Sequence, residues 1–194
     1  MTKPTPYSKI ICVVGLSGVG KSSAVRLITQ HAPFEVVHFG GVVIDEVRRR
    51  ALDVMPENEA MVREDLRKEF GMAVMAERSL PAIRRALAQG RNVLIDGLYS
   101  YSEQLLLNDQ FGASVKVIAI HASKVVRAQR LAQRKVRPLT PDEMVARDQR
   151  EIERLEKAPP IALADVHIVN DDDLETLDAR LAPHVKGLLE TAIP

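Results

Sequence analysis

The 194-residue chain has few aromatic residues, one cysteine and no excess of either charge. Because Cys12 is the only cysteine, neither a disulfide framework nor a cysteine-based zinc cluster is possible. Aromatic residues make up 4% of the chain and tryptophan is missing, which argues against a surface that stacks single-stranded bases. The formal net charge of +1 lacks the basic excess of a nucleic-acid-binding surface. We therefore expect no nucleic-acid partner.

Long hydrophobic runs are also missing. The opening residues 1–6 are polar and interrupted by proline, without the apolar core of a signal peptide. No run approaches the ~20 apolar residues of a membrane-spanning helix. The five histidines show neither metal-ligand spacing nor a hydrolase pattern. These absences predict a cytoplasmic protein that does not enter a membrane.

What the chain does contain is a complete phosphate-binding loop. Residues 15–22 read Gly-Leu-Ser-Gly-Val-Gly-Lys-Ser, which matches the pattern G-x-x-x-x-G-K-[ST] of nucleoside triphosphate enzymes. The apolar run 10–14 precedes the loop and a helical pattern follows it, so strand, loop and helix occur in the order that the motif requires. The alternative is a glycine-rich turn that merely precedes Lys-Ser, and this context disfavours it.

The residues of this loop suit a polyphosphate chemically. Glycines allow positive φ angles and leave no Cβ between backbone and ligand, so successive N–H groups can converge on phosphate oxygens. The following helix points its positive dipole end at the same place. Lys21 would reach the β- and γ-phosphates, and the Ser22 hydroxyl would ligate Mg²⁺. The residues expected to contact the nucleotide here are Gly15, Ser17, Gly18, Val19, Gly20, Lys21, Ser22 and Ser23.

Strand-like and helix-like segments alternate along the whole chain, which predicts an α/β fold with a parallel sheet in one domain spanning 1–194. The predicted strands are 10–14, 34–38, 92–95, 115–121 and 166–169. The predicted amphipathic helices are 21–31, 41–53, 58–89 with a break near Gly71, 102–109, 123–134, 141–157 and 173–190. Segment 127–160 is charge-rich, contains prolines and has the least core-like composition, and we interpret it as a helical lid.

A carboxylate ends the third predicted strand, where Asp96 directly follows the apolar run 92–95. Ligands of open α/β sheets sit outside the carboxyl ends of the strands, so this side chain should reach the same edge as the phosphate loop. There it could hold the Mg²⁺ shell through water or orient an acceptor oxygen. The alternative is an aspartate that caps the following turn.

Two groups of arginines lie in the lid segment. Arg127, Arg130 and Arg134 are spaced i, i+3, i+7 and would share one helical face, while Arg147 and Arg150 form an i, i+3 pair. Arginines that close over a transferring phosphoryl group stabilise its negative charge without further chemistry. The alternative is a solvated helix, because acidic residues stand four positions before and after Arg147.

Three of these segments resemble the nucleoside monophosphate kinase family: the phosphate loop, Leu-Ile-Asp-Gly at 94–97 and Arg-Leu-Ala-Gln-Arg at 130–134. A closer resemblance, over about residues 9–185, is to a set of adenylate-kinase-like P-loop proteins also found in archaea, some of which are labelled dephospho-coenzyme A kinase. The segments that carry it are 66–71, 95–97, 119–122, 147–151 and 161–165.

The resemblance implies a three-layer P-loop NTPase fold, in which helices cover both faces of a five-stranded parallel sheet of order 2-3-1-4-5. It also implies ATP and Mg²⁺ as cofactors, a small-molecule phosphoryl acceptor, and a monomer or homodimer. Arg130 would stack near the adenine, Arg134 would meet the triphosphate, and Asn170 would lie in a turn that passes the adenine. Arg147 and Arg150 would bridge donor and acceptor phosphates. The implied catalytic set is Lys21, Asp96, Arg134, Arg147 and Arg150, with Ser22 and Asp96 at the metal.

The acceptor side departs from the family pattern. Relatives carry Gly-Asp and an arginine three residues later after the second strand, but residues 40–44 here read Gly-Gly-Val-Val-Ile. Adenylate kinases carry Phe-Pro-Arg where residues 98–100 here read Leu-Tyr-Ser. The arginines that could replace the missing ones are Arg48, Arg63 and Arg67. Tyr99 or Tyr101 could either stack on a base or pack into the core.

These features predict a small-molecule kinase that transfers the γ-phosphoryl group of Mg·ATP to a nucleotide-like acceptor. Dephospho-coenzyme A kinase activity is one alternative. A second is a nucleotide-binding ATPase switch that acts on a protein partner, which the missing acceptor arginines favour. A third is a non-catalytic subunit that retains only the fold, although such a subunit has no reason to keep both Lys21 and Ser22.

Overall fold

The computed structural model describes residues 9–190, so the opening residues discussed above lie outside the described part of the chain. Its centre is a sheet whose strands are β1 (Ile10–Val14), β2 (Phe34–His38), β3 (Asn92–Asp96), β4 (Val115–His121) and β5 (Val166–Val169). Their order across the sheet is β2-β3-β1-β4-β5, and every neighbouring pair runs parallel. The predicted strands and the implied strand order are confirmed.

Helices connect successive strands and cover the sheet. Within the described residues they are α1 (Lys21–His31), α2 (Phe39–Arg49), α3 (Pro56–Phe70), α4 (Val74–Ala88), α5 (Tyr101–Phe111), α6 (Lys124–Ala132), α7 (Pro141–Glu153), α8 (Ala158–Ala162) and α9 (Leu174–Glu190). A 3₁₀ turn at Gly112–Ser114 leads into β4. None of these helices is both long and apolar enough to cross a membrane.

The helix boundaries differ from the prediction where the backbone leaves helical geometry. The break expected near Gly71 is present, because this glycine adopts a φ of 91° and ends α3. α6 ends at Ala132, so Arg134 lies beyond the helix rather than on the face that carries Arg130. α7 ends at Glu153, and the chain turns before the short helix α8 begins. The predicted continuous helices 123–134 and 141–157 are therefore too long.

Both faces of the sheet are covered, because alternate residues of the central strand β1 point to opposite sides and all of them are buried. Ile10, Cys12 and Val14 pack with apolar side chains of α2, α3, α4 and α5. Ile11 and Val13 pack with side chains of α1 and α9 on the other face. Each fully buried aliphatic side chain contributes about 1.5–3 kcal/mol of transfer free energy. The two cores produce the expected three layers.

This arrangement brings functional segments together at one edge of the sheet. β1 pairs with β3 in a register that aligns Val13 with Asp96. The loop that follows β1 and the carboxylate that ends β3 therefore lie at the carboxyl ends of neighbouring strands. That edge is where ligands bind in open α/β sheets.

Candidate active site

The loop of residues 15–20 has the backbone geometry of a phosphate cradle. Gly15 and Gly20 have φ angles of 145° and 94°, in the region that side chains rarely adopt. A Cβ at Gly15 would also collide with the carbonyl oxygen of Ile120, and a Cβ at Gly20 would collide with the side-chain amide of Asn170. Gly20 is the N-cap of α1, so the loop lies at the positive end of that helix.

Lys21 folds back onto this loop. Its Nζ donates to the carbonyl oxygens of Gly15 at 2.9 Å and Leu16 at 3.0 Å. Burial lowers the pKa of Lys21 to about 7, helped by the positive charges of Lys157 and Arg147, while nearby carboxylates offset part of the effect. The amine is therefore only partly charged near neutral pH, and a bound polyphosphate would restore its full charge.

Glu151 of α7 is the centre of a buried polar network that contacts the loop. Its Oε1 accepts from Ser17 Oγ and from Arg147 Nε, each at 3.1 Å, and its Oε2 accepts from Lys157 Nζ at 2.8 Å. Burial by itself would raise the pKa of Glu151, but Lys157, Lys21 and Arg147 outweigh burial and leave it at about 2. The Arg147–Glu151 pair that the spacing allows does form, yet Glu151 is only 6% exposed, so α7 is not a solvated helix at this position.

Arg127 supports the loop instead of joining the arginines that would meet a phosphoryl group. Its Nε donates to the Ser17 carbonyl oxygen at 2.7 Å, and its Nη2 donates to Asp148 Oδ1 at 2.5 Å. Arg127 is 4% exposed. Removing one partner of such a buried pair typically costs about 3–5 kcal/mol. The interpretation that Arg127, Arg130 and Arg134 share one lid face is therefore wrong, because Arg127 is buried against the loop and Asp148 and Arg134 lies beyond the end of α6.

Arg130 and Asn170 connect the loop to the turn after β5. Arg130 donates through Nη1 to the Asn170 carbonyl oxygen at 2.7 Å and through Nη2 to the Asp172 carbonyl oxygen at 3.0 Å. The buried Asn170 side chain donates from Nδ2 to the Val19 carbonyl oxygen at 2.8 Å. The turn is thus fastened both to α6 and to the phosphate loop. That Arg130 and this turn contact an adenine stays a prediction.

The two residues expected at a metal flank the start of α1. The Ser22 side chain is exposed on the first turn of that helix. Asp96 lies at the end of β3, where its Oδ2 is 3.1 Å from Nδ1 of His38 at the end of β2. The negative charge of Asp96 also acts on Lys21 and offsets a small part of the lowering of its pKa. The contact with His38 was not expected from the sequence.

The remaining arginines of the lid occupy different environments. Arg134 lies just beyond α6, and desolvation together with the charge of Arg147 lowers its pKa, so these two cations are electrostatic neighbours. Arg147 is half-buried and points at Glu151. Arg150 is exposed and donates from Nε to the Ala146 carbonyl oxygen of its own helix at 3.5 Å. Arg147 thus contacts Glu151 beside the loop, whereas Arg134 is exposed just beyond α6 and Arg150 is exposed on α7.

The three arginines suggested for the acceptor side also differ in surroundings. Arg48 is exposed, and its Nη1 lies 3.6 Å from Asp45 Oδ1. Nη2 of Arg63 lies 3.9 Å from Oε2 of Glu59, one turn earlier on α3. Burial lowers the pKa of Arg67, which makes it the candidate that is withdrawn from solvent.

Tyr99 is a partly buried residue that packs against the core and contacts Lys157. Its ring centroid is 5.3 Å from Lys157 Nζ, and its pKa is raised by burial and then by the charge of Asp96. Tyr101 begins α5, and its backbone N–H donates to the Glu156 carbonyl oxygen at 3.2 Å. Tyr99 therefore packs against the core while its ring contacts Lys157, whereas Tyr101 connects α5 to the chain between α7 and α8.

Sequence reasoning missed the residues that hold the phosphate loop from the lid side. Glu151 and Asp148 belong to segment 147–151, which carried part of the family resemblance, and this was the available signal. Lys157 is 1% exposed and had no signal, because a lysine before two prolines matches no motif.

Comparisons with known proteins identify the family. A family model described as an AAA domain matches residues 14–156. A UPF0200 protein of Aeropyrum pernix is 36% identical over 184 residues, which cover 93% of this chain and 95% of that protein. A UPF0200 protein of Thermococcus sibiricus is 35% identical over 168 residues, which cover 85% of this chain and 87% of that protein. The chain belongs to the UPF0200 family.

Solved kinases share the fold. A gluconokinase from Sinorhizobium meliloti 1021 aligns with a TM-score of 0.60 and 16% identity over 96% of both chains. A shikimate kinase from Bacteroides thetaiotaomicron aligns with a TM-score of 0.59 and 17% identity over 92% of this chain and 98% of that one. At these identities the likeness shows the fold alone. The protein therefore has a nucleotide-binding P-loop fold of the kind that kinases have.

Proposed function

We propose that this UPF0200 protein is a small-molecule kinase, which transfers the γ-phosphoryl group of Mg·ATP to a nucleotide-like acceptor. The observation that carries the proposal is the convergence of Lys21, Arg147 and Lys157 around Glu151 beside the phosphate loop. Two cations and the partly charged amine of Lys21 gathered there suit the negative charge of a phosphoryl group in transfer. The fold adds support, because two proteins that share it are named for small-molecule acceptors.

The donor end of the proposed site is built from the loop and α1. Backbone N–H groups of residues 15–20 and the positive end of α1 would hold the phosphates, and Lys21 would exchange its two carbonyl partners for phosphate oxygens. Arg130 and the turn at Asn170 would flank the base. In this scheme the rate enhancement comes from positioning and charge stabilisation rather than from a strong base.

Ser22 and Asp96 are the residues that would hold Mg²⁺. They fit a hard cation because each offers oxygen, one from an exposed hydroxyl and one from a carboxylate at the end of the strand beside β1. When bound, the ion would neutralise charge on the β- and γ-phosphates.

Only part of segment 127–160 would move as a lid. α7 is tied to the loop and to α6 through Glu151 and Asp148, so movement would concentrate in residues 133–140, which carry Arg134. Arg137 in this stretch donates from Nη2 to Glu59 Oε1 of α3 at 3.1 Å, which spans the open side of the site. Arg134 and Arg147 would stabilise the transferring group, and Arg150 would join them only through movement of α7.

The acceptor can be sought directly. The protein is incubated with Mg·ATP and a panel of nucleoside monophosphates, nucleosides and dephospho-coenzyme A, and the ADP formed is measured. We expect one member to raise ADP formation by about tenfold or more over the acceptor-free rate. Lys21→Met should abolish this signal, and Lys68→Met, at an exposed position on α3, should retain it.

Two results would contradict the kinase proposal. ATP hydrolysis at one rate with and without every acceptor would instead support an ATPase switch that acts on a protein partner. A complete lack of Mg·ATP binding would reject both functions and leave the non-catalytic alternative.

A further inference from the structure

A group of buried polar atoms on α3 and α5 has no hydrogen-bond partner within the described residues. The atoms are Nε and Nη2 of Arg67 on α3, and Oε1 of Glu103 and of Gln104 on the first turn of α5. Glu103 is 0% exposed and Gln104 is 6% exposed. Buried polar groups in folded proteins are nearly always paired, so several unpaired ones beside each other require an explanation.

The two unpaired nitrogens of Arg67 form one edge of its guanidinium group. This edge presents two parallel N–H donors, which match the two oxygens of a carboxylate or phosphate. Both atoms of the edge are buried and have no hydrogen-bond partner, and the nearby charge of Glu103 offsets only part of the effect of burial, which lowers the pKa of Arg67. The geometry of the edge indicates the class of partner that is missing.

Glu103 attracts Arg67 electrostatically but accepts no hydrogen bond from its Nε–Nη2 edge. Its Oε2 accepts from the backbone N–H groups of Tyr99 at 2.6 Å and Ser100 at 3.1 Å, and the Ser100 hydroxyl accepts from the Glu103 backbone N–H. This capping box holds the carboxyl group in one orientation at the start of α5. The other oxygen, Oε1, is buried and has no hydrogen-bond partner within the described residues.

Tyr99 connects this group of atoms to the phosphate loop. Its backbone bonds Glu103, and its ring contacts Lys157, which bonds Glu151 and through it Ser17 of the loop. A continuous series of contacts through Tyr99, Lys157 and Glu151 therefore joins Glu103 to the phosphate loop.

We infer that Arg67 binds a two-oxygen anion of the acceptor through its Nε and Nη2 edge, and that Glu103 Oε1 accepts a hydrogen bond from a hydroxyl or N–H group of the same molecule. The inference rests on the proposed function for the location of the acceptor. It names a substrate class: a small molecule with one carboxylate or phosphate and at least one hydrogen-bond donor. It also assigns to Arg67 the anion-binding role of the arginines that are missing at positions 44 and 100.

The inference makes a prediction about stability that needs no known ligand. Methionine at position 67 removes two desolvated donors but also the attraction to the buried Glu103, and these effects oppose each other, so Arg67→Met should melt close to the wild-type temperature. Loss of a structural arginine would instead lower the melting temperature. A fall in melting temperature for Arg67→Met, with ligand binding unchanged, would overturn the inference.

Binding is measured with three small-molecule probes. AMP carries a phosphate, gluconate carries a carboxylate, and glucitol has the hydroxyls of gluconate without the anion. We expect AMP or gluconate to raise the melting temperature and glucitol to leave it unchanged. The probe that raises the melting temperature shows whether the site binds a phosphate or a carboxylate. Arg67→Met should weaken the responding probe by about tenfold or more, and Arg67→Lys should recover only part of the loss, since it keeps the charge and loses the paired donors. Lys68→Met, the exposed neighbour on the same helix, is the matched control.

Separate outcomes identify which proposal has failed. If neither anion binds, or if both bind Arg67→Met as well as the wild type, the assignment of Arg67 is wrong even where phosphoryl transfer is observed. If the anion binds in an Arg67-dependent way and Mg·ATP binds, but no phosphoryl group is transferred, the kinase proposal is wrong and the anion site stands.

Discussion

Nucleotide binding should be coupled to proton uptake at Lys21. The pKa of this amine is lowered to about 7 in the free protein, because it is buried beside Lys157 and Arg147. A polyphosphate at the loop would return the pKa towards its ordinary value, since several negative oxygens would then surround Nζ. Above pH 7 the neutral amine must therefore gain a proton when the nucleotide binds.

The size of the proton uptake follows from the pKa of Lys21 in the free protein and from its higher pKa in the nucleotide complex. A group with a pKa of about 7 is mostly neutral at pH 8 and mostly charged at pH 6, so binding should take up about 0.9 proton per nucleotide at pH 8 and about 0.1 at pH 6. Affinity should fall by about tenfold for each pH unit above 7, until the raised pKa of the bound form is reached. Below pH 6 the affinity should no longer depend on this group.

Calorimetric titration with Mg·ATP in HEPES and in Tris measures the uptake, because the observed enthalpy changes with the ionisation enthalpy of the buffer. Any binding that remains in Lys21→Met should lose the buffer dependence at pH 8, and Lys68→Met should keep it. The same enthalpy in both buffers at pH 8 for the wild-type protein would refute the reasoning, since it would mean that the amine is already charged before the nucleotide arrives.

Three further substitutions test the contacts that hold the loop. Glu151→Gln leaves buried cations without their carboxylate and should lower the free energy of unfolding in urea by about 3 kcal/mol. The pKa of Glu151 in the folded protein is about 2, below the ordinary 4.5, so the stability difference from wild type should be full above pH 4.5 and should shrink as the pH falls towards 2. A stability difference that stays constant over this range would contradict the reasoning. Asn170→Ala leaves the Val19 carbonyl oxygen without its donor and should weaken Mg·ATP binding, measured with a fluorescent analogue, by about 1–3 kcal/mol. Gly20→Ala should abolish Mg·ATP binding, because alanine rarely adopts this φ angle and its Cβ would collide with the side-chain amide of Asn170. The control is Gly187→Ala on α9, where an added Cβ would lie within 4 Å of no neighbouring atom, and this variant should bind Mg·ATP normally. A Gly20→Ala protein that binds Mg·ATP as well as the wild type would contradict the assigned loop geometry.

The sheet and the phosphate loop could be predicted because they depend on short, local patterns. Each strand is a continuous apolar run, and the glycines, the lysine and the serine of the loop lie within residues 15–22. The order of the strands required the family resemblance, because alternating strands and helices are compatible with several parallel orders. The loop between α6 and α7 was harder to delimit, since its charged residues are equally compatible with helix and loop.

The network around Glu151 could not be predicted, because its partners are distant in sequence. Ser17 and Glu151 are 134 positions apart, and Ser17 and Arg127 are 110 positions apart. A spacing of three or four residues shows which side chains share a helical face, but not whether that face meets solvent or another element. Arg127 and Arg130 have this spacing, yet one is buried against Asp148 and the other bonds the turn after β5.

The loop of residues 15–20 is held in place by residues that are translated long after the loop itself. Arg127, Glu151 and Asn170 all bond it, and Asn170 directly follows the last strand. A nascent chain should therefore gain affinity for nucleotide only after β5 has left the ribosome. Retention on an immobilised nucleotide would then separate completed molecules from stalled translation products.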